Sequence, residues 1–380
     1  LPPYPMEELT RIKNELKARG QPIYDFGTGD PTIPTWEPIR KKLAEAIPTI
    51  SQYPSVRGEP ALKKSQLGYL ERRFGIKPGP NFDILPTRGS KEAIFHIALS
   101  LVGRNGKETI IYPNPGYPVY PTSTQFAGGR PYPVNLEEKH GFLLQPWNLP
   151  AEVQRDATAI WINYPHNPTG AIADESYWKK IVEWCHKQDC VLLSDDCYID
   201  IYDDSKASNR PICPLQLTDD RVITFMSLSK RSGLTGYRSG FMAGDKRILG
   251  PHATARANFG LAMPDFVQAA SIVAWDDDSH VDRRRQIFNQ RLEAASPTLV
   301  RLGLLDRKPD ATFYLWCRVP SNYRGDDVKF CLDLATRGVI TVPSQWLSEG
   351  ISGFFRFALV PDIPEIHNAM SMVEEFMRKS

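Results

Sequence analysis

The chain has 380 residues, and 46 Lys plus Arg against 44 Asp plus Glu leave a net charge of +2 with the histidines neutral. That balance gives no electrostatic footprint for nucleic acid or an anionic membrane surface, and 41% hydrophobic with 11% aromatic residues is too apolar for disorder. A length of roughly two to three typical domains predicts one large domain with a smaller companion.

In chain order, Leu9, Ile12 and Leu16 recur at helical spacing and predict an amphipathic helix over 6–19, closed by Gly20. IYDFGTGDPTIPT then reads as a short strand and a loop dense in Gly and Pro, before a second helix that stops near Ile47. From about residue 60 helical and strand patterns alternate, with helices expected at 60–74, 90–102 and 174–188 and apolar strands at 109–112, 158–163, 190–194 and 222–226. Strands such as TAIWI and CVLLS are apolar on both faces. This argues an α/β fold with an open, mostly parallel central sheet covered by helices. Beyond about Asp276 a long charged helix is expected around 280–295, broken near Pro297, followed by the strands TFYLWCRV and FFRFALV of a smaller α+β domain. The expected division is 1–45 completing the small domain, 46–275 the large domain and 276–380 the small C-terminal domain.

No apolar run reaches about 18 residues, so no membrane span is expected, and the N-terminal stretch lacks the pattern of a signal peptide. Six scattered cysteines without a CxxC pair predict reduced thiols in a cytoplasmic protein and no zinc or other metal site. Of 33 prolines, 23 fall in the first 168 residues. Pro31, Pro54, Pro86, Pro115, Pro118, Pro165 and Pro168 frame candidate functional loops, which their fixed φ would hold in shape.

The sharpest chemical signal is SLSKRSGLTGYRSG, following the strand VITFM, where Lys230 sits between serines and a Gly-rich loop with Arg238 downstream. A lysine used as a Schiff-base nucleophile must be held where its amine can lose a proton; hydroxyls and an arginine nearby can hold a phosphate. A solvated loop lysine is the plain alternative. In CVLLSDDCYIDIY, Asp195 follows a buried strand just ahead of Tyr198. A carboxylate there points into the crevice where parallel sheets bind ligands, or it caps a helix, a role that Asp196 fits equally well. Asn167 lies in the Pro-framed turn of WINYPHNPTGA.

In this order, PTRGSKEA, NYPHNPTG, SDDCY, SLSK with Arg238, and FFRFAL resemble the fold type I, class I/II pyridoxal-phosphate aminotransferases, from about Tyr24 to the C-terminus. The resemblance implies the fold type I transferase architecture and pyridoxal 5′-phosphate as cofactor. Lys230 would carry the cofactor and shuttle a proton, Asp195 would keep its pyridine nitrogen protonated, and Asn167 and Tyr198 would bond its phenolic oxygen. Gly89, Ser90 and Lys91 would receive the phosphate at a helix start, with Ser90 also capping that helix. Ser227, Ser229 and Arg238 would close the phosphate cup, and Tyr117 would stack on the ring. Tyr53 matches the tyrosine that reaches the phosphate of a neighbouring subunit, implying a homodimer. Arg356 would grip a substrate α-carboxylate with its guanidinium fork, assisted by Gly29 and Asn167. The partners implied are a small amino acid and a 2-oxo acid, with no nucleic acid or membrane.

IYDFGTGDPTIPT, RRFG, LPTRGSKEAIFH and PGYPVYP are similar to the bacterial N-succinyl-diaminopimelate aminotransferases of lysine biosynthesis. Lys91 would then meet a distal carboxylate of the substrate, or else be a solvated first-turn lysine. Asp195–Asp196, where Asp–Glu is commoner, and Ala311, where Gly is usual, depart from the pattern. The other activities considered are aspartate, aromatic or LL-diaminopimelate aminotransfer and C–S lysis. A non-catalytic effector domain of a transcription regulator is the reading from a different class.

Overall fold

The computed structural model describes residues 7–205 and 210–379. The N-terminal part runs α1 (Glu7–Ala18), β1 (Tyr24–Asp25), α2 (Glu37–Glu45), α3 (Pro60–Phe74), β2 (Phe82–Thr87), α4 (Ser90–Leu101), β3 (Thr109–Asn114), α5 (Val119–Phe126) and β4 (Arg130–Asn135). The middle comprises α6 (Ala151–Asp156), β5 (Ala157–Ile162), α7 (Glu175–Gln188), β6 (Val191–Asp195), β7 (Val222–Ser227), α8 (Leu228–Ser232), β8 (Gly240–Asp245), α9 (Lys246–Asn258) and α10 (Asp265–Asp276). The last part holds α11 (Ser279–Arg301), β9 (Tyr314–Arg318), α12 (Asp327–Ala335), β10 (Val339–Ile340), β11 (Val342–Pro343), β12 (Phe354–Ala358) and α13 (Ile363–Lys379).

The helix ends follow local chemistry. Pro60 opens α3, where its missing N–H costs nothing, and Gly75 closes it at φ 70°. Asp174 caps α7 by accepting from the Tyr177 amide at 2.8 Å. The central sheet has seven strands in the order β2-β8-β7-β6-β5-β3-β4, with only β8 antiparallel to its neighbours. Its strands are apolar on both faces because each face meets helices. Ile111, Ile160, Ile162 and Leu192 pack with α3, α7 and α10, whereas Ile110, Trp161, Leu193 and Phe225 pack with α4, α5 and α9.

A second core forms around the antiparallel sheet β11-β12-β9, where Phe288, Leu292 and Leu299 of α11 meet Phe355 and Phe357 of β12 and Ile366 of α13. Ile12 and Leu16 of α1 join Ala335 and Ile340 beside it, and β1 pairs with β10; the side chain of Leu9 lies outside the described residues. Two expectations need correction. α11 is unbroken at Pro297, because Pro297 is on the exposed side while Leu292, Ala295 and Leu299 hold the opposite face in the core. Residues 1–45 do not act as one segment: α1 and β1 join the second core, but fully buried Ile39 packs α2 into the core of the large sheet, against α10.

A buried ion cluster joins the layers. Asp200 accepts from Tyr69 Oη at 2.8 Å, Arg73 Nε at 2.9 Å and Arg231 Nε at 3.0 Å. Burial alone would push its carboxyl up, yet Arg73 and Arg231 outweigh burial and hold it below the usual range. Arg231 also lies over the rings of Tyr69 and Trp275. Asp200→Ala would leave two buried guanidinium groups short of their shared carboxylate, and denaturant unfolding should show a loss of about 3–5 kcal/mol.

Candidate active site

A cavity of about 530 Å³ opens at the carboxyl ends of the parallel strands. Asn163 and Asn167 follow β5, Asp195 ends β6, Ser227 ends β7, Tyr117 follows β3 and Ser90 begins the helix after β2. The second core supplies Tyr314 and Arg356 from β9 and β12, and the segment after β1 supplies Gly27 to Asp30. Gly29, Ser90, Lys91, Tyr117, Asn167, Asp195, Tyr198, Ser227, Ser229, Lys230, Arg238 and Arg356 all line this one space.

Gly89 lies just behind it, at φ 78°, and a Cβ there would come within 2.5 Å of Arg238 Nη2. It occupies the cap position of α4, so the expectation that Ser90 caps this helix is corrected: Ser90 is the first helical residue, and no side chain caps the start. The helix start is fixed from behind, because Arg256 grips Glu92 at 2.8 and 2.9 Å and Glu92 accepts from the Arg88 amide at 2.8 Å. Tyr53 lies outside the cavity and is wholly exposed.

Asp195 is buried, with Oδ2 accepting from Tyr120 Oη at 2.7 Å and its backbone carbonyl from Asn163 Nδ2 at 2.6 Å. Burial pushes its carboxyl up, so a cationic ligand facing it would favour the ionised form. Asp196 does not cap a helix, because a turn follows β6. Its carboxylate is buried instead, accepting from Ser194 Oγ at 2.8 Å and from Thr224 Oγ1, and burial moves its pKa to about 7.

Arg356 is 7% exposed; Nη1 donates to Asn167 Oδ1 at 2.9 Å and Nη2 to the Gly27 carbonyl at 2.8 Å, while Nε has no partner. The hydroxyls of Tyr198 and Tyr314 meet at 2.8 Å. Lys230 donates to the carbonyl of Gly29 rather than to a carboxylate. Burial lowers the pKa of its amine, and the charges of Arg356 and Arg284 lower it further. Tyr120, Asn163 and Tyr314 were not singled out in the sequence, although Tyr120 and Asn163 lie inside the quoted YPNPGYPVY and NYPHNPTG runs.

The profile of the aminotransferase class I and II family matches residues 21–372. The chain belongs to this family. It is 35% identical to an LL-diaminopimelate aminotransferase of Syntrophobacter fumaroxidans, over 100% of this chain and 96% of that one. Among solved structures it resembles an aminotransferase from Neisseria meningitidis Z2491, with TM-score 0.89, 30% identity and coverage of 99% and 98% of the two chains. A Thermus thermophilus protein described as a probable N-succinyldiaminopimelate aminotransferase matches with TM-score 0.87 and 28% identity, over 97% and 98%. The name carried by the Syntrophobacter relative differs from that of the N-succinyl subgroup which the motifs resemble.

The protein is therefore a pyridoxal 5′-phosphate-dependent aminotransferase acting on amino acids and 2-oxo acids. The residues present fit that cofactor. The helix start without a side-chain cap, beside Ser227, Ser229 and Arg238, suits a phosphate, and the buried carboxyl of Asp195 suits a protonated ring nitrogen. Among the described residues no helix is long and apolar enough to cross a membrane, and no cluster of His, Cys, Asp and Glu could hold a metal. Gly89→Ala should displace the Arg238 guanidinium and weaken cofactor retention about tenfold or more, near 1.4 kcal/mol, read as the Kd of the stripped protein for pyridoxal 5′-phosphate.

Proposed function

We propose that this aminotransferase transfers an amino group from glutamate to a 2-oxo acid built on the diaminopimelate skeleton, giving 2-oxoglutarate and the dicarboxylic amino acid, and catalyses the reverse. The observation that carries this is the cation arrangement of the cavity. Beyond Lys230, Arg238 and Arg356, Lys91 lines the same space, exposed and with no hydrogen-bond or ion-pair partner among the described residues. A cation in the first turn of a helix is opposed by the helix dipole and is best satisfied by an anion. Lys91 is thus suited to a second, distal carboxylate. The name of the Syntrophobacter relative supports the free LL-diaminopimelate form; the motif resemblance and the Thermus structure support the N-succinylated form.

The cofactor, when bound, supplies an electron sink for the charge left when the substrate loses its α-proton. Lys230, whose amine burial makes easier to deprotonate, attaches it and moves the proton at the substrate Cα as general base and acid. Asp195, braced by Tyr120, holds the proton on the ring nitrogen. Asn167 and Tyr198 orient the phenolic oxygen, Tyr117 covers the ring face, and Gly89, Ser90, Ser227, Ser229 and Arg238 hold the phosphate. Arg356 receives the α-carboxylate through a fork already oriented by Asn167 and Gly27, with the Gly29 segment alongside.

We also infer a homodimer. Tyr53 is fully exposed on a segment that also exposes Ile47 at 61% and Ile50 at 78%, a placement suited to burial against a second copy and to contact with that copy's phosphate.

Mixing each amino acid with the holoenzyme and following the cofactor spectrum tests the substrate reading. Glutamate and either free or N-succinylated LL-diaminopimelate should convert the cofactor; conversion by tyrosine or aspartate but neither diaminopimelate would refute it. Lys91→Ala should lower kcat/KM for dicarboxylic donors by about tenfold, near 1.4 kcal/mol, and leave alanine unaffected. Arg356→Ala should impair every donor, and Lys230→Ala should abolish borohydride trapping of the cofactor.

A further inference from the structure

A guanidinium lies close behind Lys230 that the roles above do not use. Arg284, on α11, is 4% exposed, and no carboxylate among the described residues forms an ion pair with it. Its Nε reaches the Lys230 carbonyl at 3.4 Å, its Nη1 reaches the Ile33 carbonyl at 3.4 Å, and Nη2 has no partner. Its guanidinium carbon lies 5.7 Å from the centroid of the Phe288 ring. The loop after α8 makes room for it: a Cβ on Gly233 would fall 2.7 Å from Nη1.

The residue directly after Lys230 is treated differently. Arg231 is equally buried and is given both Asp200 and Asp278. Burying a charge without a partner costs several kcal/mol, and burial with the like charge of Arg291 brings the Arg284 pKa down to about 10, which still leaves it charged at neutral pH. Asp30 from the segment after β1, Cys197 from the turn after β6, Arg356 from β12 and Arg284 from α11 act on the Lys230 amine, and Lys91, Asp195, Tyr198, Arg238 and Tyr314 line the same cavity. Burial keeps the Cys197 thiol neutral. With Asp195 bonded to the Tyr120 hydroxyl, Asp30 is the carboxylate set against the two guanidinium groups.

We propose that Arg284 is a positioning residue whose unpaired charge drives the proton off the amine of Lys230 while its two backbone contacts tie the segment after β1 to α8. This rests on the reading of Lys230 as the cofactor lysine. Arg284 and Arg356 differ in one respect. A substrate α-carboxylate neutralises Arg356 as it binds, whereas Arg284 is not part of the cavity lining and acts on Lys230 with the substrate present or absent. The charge thus persists through the stage at which Lys230 must accept and release the α-proton.

The test is a pH titration of the cofactor absorbance band in full-length holoenzyme, alongside the pH dependence of Lys230 labelling by trinitrobenzenesulfonate after cofactor removal, mapped by mass spectrometry. In Arg284→Gln and Arg284→Met both midpoints should rise by about half a pH unit or more, because a like charge that disfavoured the proton is gone; Arg284→Lys should keep the parent midpoints. Unchanged midpoints in folded neutral variants would overturn the proposal. So would a shift as large in Arg284→Lys, or failure of both neutral variants to fold, which would assign the residue to the core alone. Borohydride trapping of cofactor on a lysine other than Lys230 would instead overturn the reading beneath it.

Discussion

The site depends on a lysine amine buried without a carboxylate of its own. Other lysines are given acids, as Lys13 is with Asp25 and Lys63 with Asp83. Lys230 instead donates to a backbone carbonyl, which attracts the ammonium far less than a carboxylate does. The nearest strand-end acid, Asp195, is held elsewhere by the Tyr120 hydroxyl, and the Tyr120 ring is itself fixed by stacking on Trp161 at 4.7 Å. Adjacent parallel strands β6 and β7 thus deliver an acid and an amine to one cavity while their side chains take different partners. An amine and a carboxylate that neutralised each other could not serve opposite ends of one ligand.

Strands β3, β5, β6 and β7 of the large sheet were legible in the sequence because burial on both faces demands apolar runs with no polar alternation, and α3 and α7 because their end residues carry local stop and start chemistry. What failed was non-local. Pro297 obeys its breaking rule only when nothing else holds the helix, and here Leu292 and Leu299 do. Ile39 reads as helical from spacing, but spacing cannot say which core an apolar face will meet. That Lys230, Asp195, Arg238 and Arg356 gather in one cavity was legible for a similar reason, because charged side chains in short motifs stand out by type. Their supports were not. Tyr120 is 75 residues from Asp195, Asn163 is 32 from it, and Tyr314 is 116 from Tyr198, and a hydroxyl or amide has no signature that reveals a partner at such a separation.

The proline-rich loops are held by more than their prolines. In the segment after β5 the Asn167 amide donates to Asn163 Oδ1 at 3.0 Å, the His166 amide to the Ala171 carbonyl at 2.9 Å, and the Gly170 amide to the His166 carbonyl at 2.8 Å. The His166 ring meets Thr169 Oγ1 at 2.8 Å, and burial lowers its pKa to about 3, so it is a neutral hydrogen-bonding group. Pro165 and Pro168 restrict φ inside a loop whose backbone is already held by these hydrogen bonds. The Asn167 side chain is therefore aimed at Arg356 by the fold itself, and little ordering entropy is left for a ligand to supply.

The start of α4 shows the same logic applied to an anion. A helix start can be fixed by a side-chain cap, but a cap would occupy the amides that a phosphate needs. Here the anchoring lies on the other side: Arg256 binds Glu92 through both terminal nitrogens and also the Pro86 carbonyl at 3.2 Å, and Glu92 in turn holds the Arg88 amide. Burial would raise the Glu92 carboxyl, but His96 and Arg256 pull it below its usual range. The ionised clamp faces the core, and the uncapped turn carrying Gly89, Ser90 and Lys91 faces the cavity. Fixing the helix from behind makes its front rigid without filling it, and it explains how a lysine can stand unpaired in a first turn whose dipole opposes it. Lys91 has no ion-pair partner among the described residues because Glu92, its acidic neighbour in that turn, is already committed to Arg256.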